Sequence, residues 1–117
     1  MRVLVCGGRD YSDKAKLNQV LNEVHRGYRI TTIIEGDASG ADRLAGTWAR
    51  LHNVPNLKFP AHWRVHGYVA GHIRNKQMLE EGKPDLVIAF PGGKGTMNMV
   101  EQAKRAGVIT IQAEEFS

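Results

Sequence analysis

Short runs of aliphatic and β-branched residues alternate along this chain with stretches in which apolar side chains recur every three or four positions. Residues 2–5 form the first run, which ends in Gly7-Gly8. Leu17, Val20, Leu21 and Val24 then stand at i, i+3, i+4 and i+7, the stripe of an amphipathic helix. Ser12 or Asp13 is placed to cap it. Residues 30–34 predict a second strand, ending in Glu35-Gly36. Ala41, Leu44, Ala45 and Trp48 predict the next helix, and Ser39 with Asp42 three residues later resembles a capping box. Residues 56–59 predict a short third strand. The stretch 60–71 is irregular and rich in His, Trp and Tyr. The spacing then predicts a helix over 70–81, stopped by Gly82 and Pro84. Leu86–Ala89 reads as the fourth strand. A helix over 96–106 with Met99, Val100 and Ala103 inward, and a fifth strand over 108–111, complete the pattern.

Alternating strands and helices predict an α/β protein, a doubly wound parallel sheet of about five strands with helices on both faces. In the common order of such sheets the first and fourth strands are neighbours, and ligands bind beyond the strand C-termini where the order reverses. The first strand ends in Gly7-Gly8 and the fourth leads into Gly92-Gly93, so two glycine turns are expected to meet there. With 117 residues, no linker and no repeat, one domain over 1–117 is expected. One cysteine precludes an internal disulfide and fits a reducing compartment. No apolar run approaches the ~20 residues that cross a bilayer. The reading is a cytoplasmic protein without a membrane partner. The net charge of +4 favours anionic partners, but the basic residues form no block.

The richest chemistry lies at Gly92-Gly93-Lys94-Gly95-Thr96. Glycines let a backbone turn tightly and approach a ligand, and a helix start presents free N–H groups and a partial positive charge. These features suit a phosphate, with the Thr96 hydroxyl as a further donor. The segment is neither a Walker loop nor a Gly-x-Gly-x-x-Gly dinucleotide turn. After the first strand, Arg9 of Gly7-Gly8-Arg9-Asp10 can grip a phosphate or carboxylate as a fork, or stand as a solvated loop residue. In Gly36-Asp37-Ala38-Ser39-Gly40-Ala41-Asp42 the backbone near Gly40 and the carboxylate of Asp42 are ligand candidates, against a pure capping role. Arg74 and Asn75, with Met78, lie on a helix whose apolar stripe is weak, so core packing does not account for them; a base, ribose or phosphate would, on a helix face that otherwise looks solvated. Cys6 reads as a small packing residue. His62, His66 and His72 lack a familiar ligand spacing, so no metal site is read, and no cofactor is called for. Trp63 and Tyr68 suit stacking on a ligand or a subunit interface.

Together the segments 5–10, 36–42, 71–78 and 91–96 resemble the YspA, cpYpsA-related branch of the SLOG superfamily. That superfamily also holds the LOG-type phosphoribohydrolases and the DNA-processing protein DprA. The resemblance implies a Rossmann-like fold, a nucleotide or nucleotide-derived ligand and, from LOG relatives, a homo-oligomer. LOG enzymes carry Pro-Gly-Gly-x-Gly-Thr-x-x-Glu and an upstream Arg-Lys pair. Here residues 91–96 and Arg74 match, Asn75 replaces the lysine, and Met99 stands at the catalytic glutamate. Glu101 is two positions further, about 200° around the helix. A thioether neither stabilises an oxocarbenium ion nor handles a proton, so catalytic residues are left unassigned.

Three readings follow. The chain binds a nucleotide-type small molecule, as a sensor or as an enzyme acting on it. Alternatively it is a LOG-like phosphoribohydrolase whose carboxylate comes from Asp10 or Asp42. A DprA-like single-stranded DNA binder is the third, but such grooves stack bases on aromatics. At 7% aromatic residues this chain offers few.

Overall fold

A computed structural model describes residues 1–116. Five parallel strands form one sheet in the order β3-β2-β1-β4-β5: β1 is Arg2–Cys6, β2 Thr32–Glu35, β3 Asn56–Lys58, β4 Leu86–Ala89 and β5 Ile109–Gln112. Five α-helices connect them: α1 Lys14–Tyr28, α2 Ala41–Leu51, the single turn α3 Trp63–His66, α4 Ala70–Gly82 and α5 Lys94–Arg105. The α/β expectation and the β1–β4 adjacency both hold, with Val3 opposite Leu86 and Cys6 opposite Ala89.

The pleat of β1 divides the core. Val3 and Val5 point to one side, where Leu17, Val20, Leu21 and Val24 of α1 and Ala41, Ala45 and Trp48 of α2 cover them. Leu4 and Cys6 point to the other, under Met78 of α4 and Met99 and Ala103 of α5. Strands covered on both faces must be apolar throughout, and β1, β2 and β4 are nearly so. The buried exceptions are Thr32 at the start of β2 and Glu35 at its end, the latter fully buried.

Several expected boundaries shift. β2 starts at Thr32 rather than 30, because the chain at 29–31 is held by the terminus: Met1 N donates to Arg29 O, and Thr31 N to Met1 O. β3 stops at Lys58. Helix α5 starts at Lys94, two residues early, because Gly93 serves as its N-cap. The irregular stretch contains α3 and a 3₁₀ turn over Gly67–Val69 that runs into α4. Asp13 caps α1 through Lys16 N at 3.0 Å. The capping box at α2 does not form. Gly40 is the N-cap, Ser39 Oγ donates to Arg9 O, and Asp42 reaches back to Ala38 N.

Candidate functional site

Two loops close on each other at the C-terminal edge of β1 and β4. Gly8 N donates to Pro91 O at 2.8 Å. Both glycines are closely approached: a Cβ on Gly8 would press at 3.0 Å on Pro91 O, and one on Gly92 would lie 2.7 Å from Gly8 N and overlap Thr96 Oγ1. A third loop joins from β2. Gly40 has φ +81°, open to glycine, and a Cβ there would meet the Gly8 and Arg9 carbonyls. Ala41 N donates to Gly8 O at 3.2 Å. The amide at the start of α2 is thereby consumed by the protein itself.

The start of α5 differs. Gly93 caps it with no side-chain hydrogen bond, and the first bond of the helix is Met97 N to Gly93 O. The N–H groups of Lys94, Gly95 and Thr96 therefore precede the intrahelical ladder. Gly93 and Gly95 are exposed, and a Cβ on either meets no atom within 4 Å.

Between these loops and α4 lies a cavity of about 550 Å³, within the size range of small-molecule sites. Gly7, Gly8, Arg9 and Asp42 line it on one side, Arg74 and Asn75 on the α4 side, and Gly93, Lys94, Gly95 and Thr96 at α5. Trp63, Tyr68 and His72 also face it. The cavity thus brings together nine of the eleven residues singled out from the sequence; Gly40 and Gly92 stand behind it as turn residues. Lys94 is added, and Trp63 and Tyr68, stacking or interface candidates in the sequence, line it too. Lys94 was legible as the one cation inside the glycine turn, whereas no periodicity marks the aromatic pair.

Arg74 is held in place. Its Nη1 donates to Gly36 O at 2.6 Å and its Nε to Asn75 Oδ1 at 3.1 Å. Gly36 must lack a side chain here, because a Cβ would overlap the guanidinium and stand 2.9 Å from Asp42 Oδ2. The α4 face expected to be solvated is instead partly buried at Arg74. Asn75 is buried at 4% exposure, and its Nδ2 donates to Gly95 O and Asn98 Oδ1, both at 3.1 Å. Asn75 therefore builds the wall of the cavity.

Burial governs the titrating groups. It pushes the Asp42 carboxyl up to about 6, against the stabilising N–H of Ala38 and the nearby Arg74 charge. It pushes the Cys6 thiol up to about 12, with Asp42 adding to the effect, so the thiol is inert. Arg74 is lowered by burial, partly compensated by Asp42, and Arg9 lowers it further. The Arg9 guanidinium itself lies 5.1 Å from the centre of the Trp63 ring. Met99, at the position of the LOG glutamate, is wholly buried between α5 and the sheet. Asp42 is the one carboxylate among the residues that line the cavity.

The sequence model of the YspA, cpYpsA-related SLOG family matches residues 1–66. A relative from Mycobacterium phage D29, "Gene 61 protein", is 35% identical over 118 residues, covering 94% of each chain. The chain belongs to the YspA, cpYpsA-related SLOG family. The matched SLOG stretch contains the loops after β1 and β2, with Arg9, Gly40 and Asp42; Arg74 and the turn at 92–96 lie beyond it. Membership of the SLOG family points to nucleotide-related binding or modification. Among the described residues no helix is long and apolar enough to cross a membrane.

Proposed function

We propose that the cavity binds a nucleotide or nucleotide-derived ligand, with a phosphate against the start of α5. The observation that carries this reading is the convergence of the unladdered N–H groups at 94–96 with Arg9, Arg74 and Lys94 on one cavity at the strand C-termini. Backbone amides and the helix dipole supply attraction without the entropy cost of long side chains. Trp63, Tyr68 and His72 offer flat surfaces for a base. Asp42 is available to a ribose hydroxyl. The homo-oligomer implied by the resemblance belongs to the same proposal, and sedimentation reads the copy number.

The LOG reaction has no support at Met99. Base release from a nucleoside monophosphate would have to draw on Asp42, whose Oδ2 is already engaged by Ala38 N at 3.3 Å. The chain is therefore read as a binding protein for nucleoside phosphates that releases base from them slowly, if at all. A thermal-shift screen against AMP, ADP-ribose, NAD and cyclic nucleotides tests binding. A ligand at 100 times its Kd adds about 2.7 kcal/mol of stability. No shift with any of them up to millimolar concentration would overturn the proposal. A salt titration separates this reading from DNA binding, which weakens steeply as salt rises.

A further inference from the structure

The cations of the cavity fall into two groups. Lys94 belongs to the start of α5, over the exposed turn that follows β4. Arg9 and Arg74 belong to the other end, by the loops that follow β1 and β2. There Arg74 is tied to Gly36 O, and Arg9 is close enough to oppose its charge. The groups are held apart by the buried amide of Asn75, which takes Arg74 Nε on one side and reaches Gly95 O on the other. This amide is also bonded to Asn98 Oδ1, whose oxygen accepts from Gln102 Nε2 at 2.7 Å, so the spacer is itself braced.

Two like charges side by side repel, and each costs more as water is excluded. Neither arginine makes an ion pair within 4.0 Å among the described residues. Asp42, the nearby carboxylate, spends its Oδ2 on Ala38 N. Arg74 is moreover fixed by two hydrogen bonds from Nη1 and Nε, which leaves the Nη2 end of its fork for a partner. An anion between Arg9 and Arg74 would relieve the repulsion and complete the fork. The helix start calls for an anion of its own.

We propose that the cavity takes a ligand with two linked phosphates, a diphosphate-bearing nucleotide, with one phosphate at the start of α5 and the second between Arg9 and Arg74. This rests on the binding reading above and narrows it from any nucleotide to this class. The missing Gly-x-Gly-x-x-Gly turn is consistent with it. Here the two phosphates are divided between the loops of β4 and β1, whereas that fingerprint gathers a pyrophosphate on the first helix alone.

The test is calorimetric titration of the full chain with four probes at one pH and ionic strength: orthophosphate, pyrophosphate, AMP and ADP. Pyrophosphate is expected to bind at least tenfold more tightly than orthophosphate, and ADP at least tenfold more tightly than AMP. Arg9→Ala, at an exposed position, should bring both ratios down towards one. Arg74→Lys keeps the charge, loses the fork and should lower the ratios in the same way. Ratios near one in the parent overturn the two-phosphate inference and leave nucleotide binding standing. Ratios of ten or more that neither variant changes also overturn it, because the second phosphate then lies elsewhere. Failure of all four probes to bind overturns this inference, and the nucleotide reading falls with it when the thermal-shift screen is silent too.

Discussion

Asn75 donates from Nδ2 to the carbonyl oxygen of Gly95 at 3.1 Å, across the gap between α4 and α5. The same side chain accepts from Arg74 Nε through Oδ1. One buried amide thus sets the distance between the fixed arginine and the glycine turn. Amide groups suit this task, since they offer a donor end and an acceptor end at a rigid spacing.

Replacing Asn75 with Ala leaves Arg74 Nε without its bond and takes one donor each from Gly95 O and from Asn98 Oδ1, which keeps Gln102 Nε2. An unmet buried polar group costs about 1–3 kcal/mol. Asn75→Ala is expected to lose stability in that range by urea denaturation, and also to weaken AMP or ADP binding. A variant as stable as the parent would show that Asn75 does not hold the two helices in register.

Arg74→Ala should now cost stability as well as affinity. The sequence placed Arg74 on a solvated face, where its loss would be thermally silent; the bond to Gly36 O at 2.6 Å changes that. A hydrogen bond to a charged group is worth about 1.5–3 kcal/mol. Ligand binding should therefore fall by about ten- to a hundredfold, with a lower melting temperature in the ligand-free protein. An unchanged melting temperature would return Arg74 to the purely ligand-facing role.

Gly93→Ala and Gly92→Ala make an informative pair. A methyl at Gly93 meets nothing within 4 Å, and φ there is −103°. This variant should fold normally and bind phosphate-bearing ligands less well, by obstructing close approach. A methyl at Gly92 collides with Thr96 Oγ1 and Gly8 N, so that variant should be destabilised with or without ligand. If Gly93→Ala binds the best nucleotide of the screen as well as the parent, the phosphate does not sit at this turn.

Glu35 should make stability depend on pH. Burial pushes its carboxyl up to about 7, opposed by the Asp37 N–H and Lys58 and reinforced by Asp42. Its Oε2 is buried without a partner, and the α2 backbone comes so close that a Cβ on Gly46 would stand 3.0 Å from it. The folded protein keeps the proton up to about pH 7, whereas the unfolded chain releases it near 4.3. Stability from this group is complete below the unfolded value and is lost as pH rises through the folded one. Glu35→Gln should gain about 1–3 kcal/mol on the parent between pH 5 and pH 8. Parallel stability curves for the two proteins from pH 5 to 8 would refute this.

Met99→Glu tests the enzymatic alternative. Position 99 is fully buried against Leu4, Val87 and Ala89. A carboxylate introduced there loses its hydration with no cationic partner in that apolar cluster. The variant should be strongly destabilised and gain no base-releasing activity. The parent should release base from AMP very slowly, because general acid–base help typically contributes a hundred- to ten-thousandfold. Efficient release by the parent, abolished in Arg74→Ala, would establish the phosphoribohydrolase reading.

The sequence by itself determined the layers and the end of the sheet at which the glycine loops meet. Strand and helix carry different apolar periods, so the runs at β1, β2 and β4 and the stripes of α1 and α2 are written locally. Glycine is the residue that permits a tight turn and close approach, so the loops after β1 and β4 were visible as a pair. Periodicity was silent on α4, because its inner face buries Gly71, Asn75 and Gly82 alongside Met78 and Ala70. Only the tertiary structure decided what the polar residues there do. Asn75 turned inward to bridge two helices, Arg74 was bound to a carbonyl far along the chain, and Gly40 closed one loop on another. The orientation of Met99 was likewise decided by packing, since a position on a helix specifies its face only once the sheet beneath is in place. Hydrogen bonds between residues 20 to 38 positions apart leave no local pattern. They exist only after the β2 and β4 loops have been carried to the same end of the sheet.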